Sequence, residues 1–516
     1  MMRLARHSPR ARTSRRAHPD ASGSPLTWQD ASVHSRGRGG NFFHARREKS
    51  RLEPTNGVAD AAHRMRGKRL PGRLNLFQST MLDWRAVHPY NAVHAVRIEG
   101  AFDAAQLARA IEDELAGSGL TGLELDSAHK RYAWRGGPAH VDLETLEAAG
   151  ADWQSSLAQA FERQLNAPFP QDGAIDPFRF FAMPLDDAFF LGLAYDHFIA
   201  GGDSIIVLLN AIARRYAGER VAATPLRVHP PTHLRLFLRD PLRFVRGLAR
   251  APALVASCRR TVRPRYRAID DGYNAFMLFR LGAARYRTLR DAAHGWGVTL
   301  NDALMALLLL AQDAVLGPRD MGKRRHELAV ASIINLRAAH HDDPHATFGQ
   351  YLGSFRVSHP VPSGITLYEL ARDVHAATAR VKREKLYLTT LFAMAVDGAI
   401  GRFQTPEQRV GIYAKSYPVG AGVSSLNVDA LWQSKDQGSG TRGRELGARG
   451  RESREAGGTP TYIRGVPTGP LSPIVLAVTT CGGDLWGGIS YRTSAFGADD
   501  IARIRDHVIA RIDALS

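Results

Sequence analysis

The sequence predicts a mixed α/β protein of two lobes behind a basic N-terminal arm. Three observations carry that prediction. Stretches of strand period alternate with stretches of helix period from Leu74 to Ser516, some of them are apolar enough to be wholly buried, and the positive charge is concentrated before residue 74. With 516 residues, 44% of them hydrophobic and 23% charged, the chain can build two or three domain-sized cores. No uncharged apolar run approaches the ~18–20 residues of a membrane span. Two cysteines, Cys258 and Cys481, are too few for a disulfide framework and lack the spacing of a zinc site, so a reducing, cytoplasmic setting is expected.

The elements follow from the apolar spacing. "AVHAVRIEG" from Ala92 alternates as a strand does, and "DAAQLARAIEDELAG" after it has helical spacing behind an Asp cap. "DAFFLGLAYDHF" reads as a buried strand leading to the helix "SIIVLLNAIARRYAG", for which Asp203 or Ser204 is a candidate cap. "GVTLNDALMALLLLAQDAVLG" is apolar nearly all round, which predicts a buried helix. "HELAVASIINLR" and "PIVLAVTTCGGDLWGGISY" are strand material, and "GADDIARIRDHVIARIDAL" is an amphipathic terminal helix. This places a first lobe at 74–245 and a second at 246–516.

Residues 1–73 hold 17 Lys or Arg against five acids, so +12 of the chain's +18 sits in this arm. Without a periodic apolar pattern the arm is expected to be disordered, and nucleic acid is not an expected partner of the rest. The polar, Gly- and Arg-rich stretch 434–458 is expected to be a flexible insertion. "GSGTRG" within it matches a dinucleotide fingerprint by letters only, with no βαβ unit around it. "GPRDMGKR" from Gly317 has Arg324 where a phosphate loop needs a hydroxyl.

The most informative stretch is "YDHFIAGGDS", residues 195–204. Strand alternation puts Tyr195 and His197 on one face and Asp196 on the other. Ala200, Gly201 and Gly202 then remove bulk beside the imidazole, a clearance that a packed core histidine does not require.

This stretch resembles the H-H-x-x-x-D-G signature of the thioester-dependent acyltransferases, the superfamily of chloramphenicol acetyltransferase, peptide-synthetase condensation domains and wax ester synthase/diacylglycerol acyltransferases. "TMLDWRAVHPYNAVHAVRIEG", "GVTLNDALMALLLLAQDAV", "SIINLR" followed by "FGQYLGS", and "SSLNV" look like segments of the wax-synthase-like branch in the same order. The resemblance implies a two-lobed chloramphenicol-acetyltransferase-like α/β fold with mixed sheets and a tunnel at the lobe interface. It also implies an acyl transfer with His197 as general base, no bound cofactor, and acyl-CoA or acyl-phosphopantetheine as donor substrate. A hydroxyl acceptor is favoured over an amine. Two positions depart from the signature. Asp196 stands where the first His would be, and Gly201 where the Asp would be. Asp203 either replaces that carboxylate by pairing with a basic residue or only caps the helix. Asn301, Ser425 and Asn427 are either donors lining the tunnel or, respectively, a cap and turn formers.

Two further clusters remain. "HHDDPH", His340 to His345, lies in a Pro-containing loop and is not expected to hold a metal. Arg235, Arg239, Arg243, Arg246 and Arg250 recur at helical spacing around Pro241, with Leu236, Leu242, Phe244 and Leu248 as core contacts. Such a stripe is a solvated face, or a dock for an acyl carrier protein or an anionic membrane surface.

Overall fold

In the computed structural model, the described residues are 70–516 without 149–151, 222–224, 229–231, 269–270, 434–459 and several positions between 402 and 416. The arm before Leu70 and the expected insertion lie outside them. Two sheets organise what is described. The first has the order Tyr462–Gly465, Asn91–Glu99, Ala188–Asp196, Phe178–Pro184, Leu143–Thr145, antiparallel except for its last pair. The second runs Leu352–His359, Leu328–Asn335, Ala421–Asn427, Ile474–Cys481, Asp484–Arg492, Asn274–Arg280, with Ala421–Asn427 parallel to both of its neighbours.

The central strand of the first sheet is "AFFLGLAYD", which carries no charge before Asp196 and is buried at every position. Gly192 within it is dictated by packing, since a Cβ there would fall 2.1 Å from the Phe181 ring on the next strand. In the second half, helix Leu300–Leu316 packs against helices Leu367–Arg383 and Ala498–Asp513 and against the sheet. A capping box starts it: Thr299 Oγ1 accepts from the Asp302 amide, and Asp302 accepts from the Thr299 amide. No single described helix is long and apolar enough to cross a membrane.

Three expectations are corrected. Leu70–Arg73 is a strand, antiparallel to Arg131–Trp134 in a small four-stranded sheet, so the last four residues assigned to the arm are ordered. The division at 245/246 is crossed by Tyr462–Gly465, which leaves the second half to pair with Val93–Val96 of the first sheet. Leu242 is not a core contact: it is 72% exposed, beside exposed Leu234, Leu238 and Val245, whereas Leu236 is buried. Helices Leu234–Arg239 and Pro241–Leu248 break at Pro241, and Asp240 between them pairs with Lys385.

Candidate active site

His197 is the first residue beyond the strand Ala188–Asp196, in a turn held from several sides. Its amide donates to the Tyr90 carbonyl at 3.1 Å, and the Gly201 amide donates to that of Gly349 at 3.0 Å. Two fully buried glutamines hold the turn's carbonyls. Gln350 Nε2 donates to those of His197 (2.8 Å) and Ala200 (3.1 Å), and Gln78 Nε2 to that of Phe198 (3.1 Å). Every bond acts on the backbone, so the imidazole is left with a fixed origin and little freedom.

The ring's own bond sets its protonation. Nδ1 lies 3.2 Å from the Ala200 carbonyl, which can only accept, so Nδ1 carries the hydrogen and Nε2 the lone pair. The ring stacks on Tyr90 and meets Tyr195 edge-on. Burial, aided by the positive charge of Arg464 and opposed by the Ala200 bond, pulls the imidazole down to about 4. It is therefore neutral at pH 7. His197 lines a pocket with Tyr90, His94, Tyr195, Ser332, Ser424, Ser425 and Arg464, closed elsewhere by apolar groups such as Trp84, Leu426 and Val475.

The two unusual acids take different places. Asp196 points away from the pocket and pairs with Arg85, both buried. Burial outweighs that attraction and lifts its carboxyl to about 6. Asp203 is not the helix cap: Gly201 holds that position, and Asp203 lies within the first turn. Its Oδ2 accepts from Arg337 Nε at 2.5 Å and from Asn335 Nδ2 at 2.9 Å. Arg337 reaches on to Thr347 and Ser204 and lies over the Tyr351 ring. Asp203 thus makes a buried ion pair with Arg337 in place of a helix cap.

Neither glycine is called for by its backbone, since Gly201 has φ −80°. Close approach calls for them instead. A Cβ on Gly201 would fall 2.9 Å from Asp203 Oδ1, and one on Gly202 would fall 2.7 Å from Leu426 of the opposite sheet. Gly202 is where the two halves meet at the pocket.

Of the three other candidates, only Ser425 lines the pocket. Asn301 sits behind it: its amide donates to Ser332 and its Oδ1 accepts from Ser425, while Thr299 does the capping. Asn427 is exposed and accepts from the Ala430 amide at the start of helix Val428–Gln433, so it is a local cap and no tunnel donor. In the His340–His345 loop, Asp342 pairs with Arg227 and His340 stacks on His233; among the described residues no group of three metal-ligating side chains gathers.

Sequence reasoning missed His94, Ser424, Arg464 and the two glutamines. Their signals were faint: a polar residue inside the apolar strands "NAVHAV" and "YIRG", and the Gln of "FGQYLGS". His94 is fully buried, with Nδ1 2.8 Å from Tyr462 Oη, and burial holds it well below the usual histidine range.

Among solved structures, the chain is similar to the first condensation domain of the calcium-dependent antibiotic synthetase, in complex with substrate analogue 2a. Identity is 14%, 86% of this chain and 97% of that one are covered, and the TM-score is 0.59. It is also similar to the cyclization-docking bidomain from Sorangium cellulosum (12%, 86% and 84%, 0.60) and to the epimerization domain from the third module of tyrocidine synthetase B (12%, 87% and 98%, 0.57). No family model and no curated protein sequence matches the chain. These similarities establish the fold, which is the mixed α/β fold of condensation domains.

Proposed function

We propose that this protein is an acyltransferase that moves an acyl group from a CoA or carrier-protein thioester to a hydroxyl or amine acceptor, with His197 as general base. One observation carries the reading. The Ala200 carbonyl ties down Nδ1 of a neutral imidazole, and so leaves the Nε2 lone pair unengaged in a residue that lines a pocket between the two sheets.

The step balances without a covalent enzyme intermediate. An acceptor O–H or N–H gives its proton to Nε2 as its oxygen or nitrogen attacks the thioester carbon. The tetrahedral oxyanion takes hydrogen bonds from the pocket, for which the Ser424 and Ser425 hydroxyls are candidates. Collapse expels the thiol, which recovers the proton from Nε2. Holding both substrates in one site supplies the remainder of the acceleration. A hydroxyl acceptor is favoured, on the resemblance to the wax-synthase-like branch.

A second reading, a condensation-fold protein without catalysis, is favoured by Asp196 at the position of the signature's first His. One assay separates the two. Wild type and His197→Ala are incubated with short and long acyl-CoA and acyl-pantetheine thioesters in the presence of alcohols and amines, and released thiol is followed. Acyl transfer predicts turnover that drops ~10²- to 10⁴-fold in the variant with unchanged unfolding. Normal turnover in the variant rejects the base, and an inert wild type favours the second reading.

A further inference from the structure

Arg464 is fully buried at 2% exposure and lines the pocket that holds His197. It arrives on the crossing strand Tyr462–Gly465, where it pairs with His94 across the ladder. The partners of its guanidinium are all neutral oxygens. Nε donates to Thr479 Oγ1 at 3.0 Å, Nη2 to the carbonyls of Ser424 and Val478 at 2.8 Å each, and Nη1 to Ser424 Oγ at a long 3.4 Å. An arginine has five N–H groups, and four are thereby engaged. The fifth, on Nη1, has no partner among the described residues. Nη1 lies 3.4 Å from where a Cβ on Gly202 would sit, which is the wall of the pocket.

Charge makes this position unusual. The buried arginines on either side of the His197 turn each have a carboxylate, Arg85 with Asp196 and Arg337 with Asp203, and Arg464 has none among the described residues. Arg356 and Arg492 are also buried without one, but they do not line this pocket. Burial pulls the Arg464 guanidinium down to about 10, so it stays charged at pH 7. His94 and His197 beside it are neutral, and Asp203 is compensated by Arg337. Among the described residues the pocket therefore carries one uncompensated positive charge in a desolvated place, where a counter-ion is worth most.

We propose that Arg464 is the counter-ion for a carboxylate on the substrate, so that this pocket selects an acyl group or an acceptor that bears one. The inference rests on the acyl-transfer reading for the identity of its ligands, but its test is binding and needs no turnover.

The two sources of the carboxylate are separated by isosteric pairs, titrated calorimetrically into the full-length wild-type chain. For the donor, the S-succinyl thioester of N-acetylcysteamine is compared with its succinamoyl counterpart; for the acceptor, 3-hydroxybutyrate is compared with 3-hydroxybutyramide. The expected result is that in one pair the carboxylate binds about tenfold or more tightly than the amide. Arg464→Gln then lowers the carboxylate to the amide's affinity. Arg464→Lys keeps part of the preference, and replaces the Gln variant if that one does not fold. Equal or undetectable binding within both pairs overturns the proposal, as does a preference that survives in Arg464→Gln. Carboxylate selectivity without any thioester turnover would remove the role of His197 and keep that of Arg464.

Discussion

Two buried aspartate–arginine pairs hold the turn that presents His197, one on each side, and they are satisfied to different degrees. On the far side, Asp203 is saturated: one oxygen accepts from Arg337 and Asn335, and the other from the Ser204 amide. On the near side, Asp196 meets Arg85 through Oδ2, the Phe198 amide also favours its charged form, and no hydrogen bond of full geometry reaches its Oδ1 among the described residues. Both pairs cost desolvation, and only one recovers it with a full set of hydrogen bonds. Similar chemistry thus serves two ends. The Asp203 pair joins the helix carrying the turn to the second sheet, whereas the Asp196 pair fastens the strand end to helix Leu76–Arg85 within the first half.

The comparison is broken most severely at Asp203. Asp203→Asn keeps the shape but removes the charge that Arg337 faces, and losing one partner of a buried pair costs about 3–5 kcal/mol. Under the acyl-transfer reading it also lowers turnover by at least about tenfold, because the turn loses its tie to the second sheet. Denaturant unfolding and the thiol-release assay check both, and wild-type behaviour in each would return Asp203 to a mere first-turn acid.

Asp196→Asn is the milder break. Arg85 keeps the Gln171 carbonyl at 2.5 Å and the face of Phe198, and a carboxyl lifted to about 6 means that the fold already disfavours its charge, so the expected change at pH 7 is a loss of less than about 1 kcal/mol or a gain. This difference depends on pH with a defined sign. The Asp196 carboxyl lies near 6 when folded against 3.8 ordinarily, so between these values the folded chain keeps a proton that the unfolded chain has lost. Its contribution to stability is then greatest below about pH 4 and declines as pH rises towards 6. His197 acts in the other direction: folded near 4 against 6.5, it withdraws stability as pH falls through that interval. Unfolding midpoints of wild type and Asp196→Asn across pH 4–7 isolate the Asp196 slope. A gap between the two that does not change with pH would mean that Asp196 stays ionised throughout.

What the sequence revealed of this arrangement was whatever is local. Apolar period placed the central strand, the buried helix after Thr299 and the terminal helix, and strand alternation separated His197 from Asp196. What it hid depends on distant meetings. Arg85 and Arg337 lie 111 and 134 residues from their carboxylates, and Gln350 lies 153 from the carbonyl of His197. Arg464 was hidden most deeply, because nothing in "YIRG" tells that these four residues leave their neighbours to complete the first sheet. The exposed Leu242 was misread for a related reason: an amphipathic pattern states which residues share a face, and the tertiary contacts decide whether the face is covered.

The central claim is that the turn offers His197 as a neutral base with Nδ1 protonated and Nε2 free, and it can be measured without knowing any substrate. Nitrogen-15 NMR of histidine-labelled protein, with His197→Gln to assign the signal, reports the tautomer and its titration directly. The structure predicts an Nδ1–H imidazole that stays neutral through pH 6.5 and protonates only near 4, with the fold still cooperative above that point. A proton on Nε2, or a titration centred near 6.5, would contradict it.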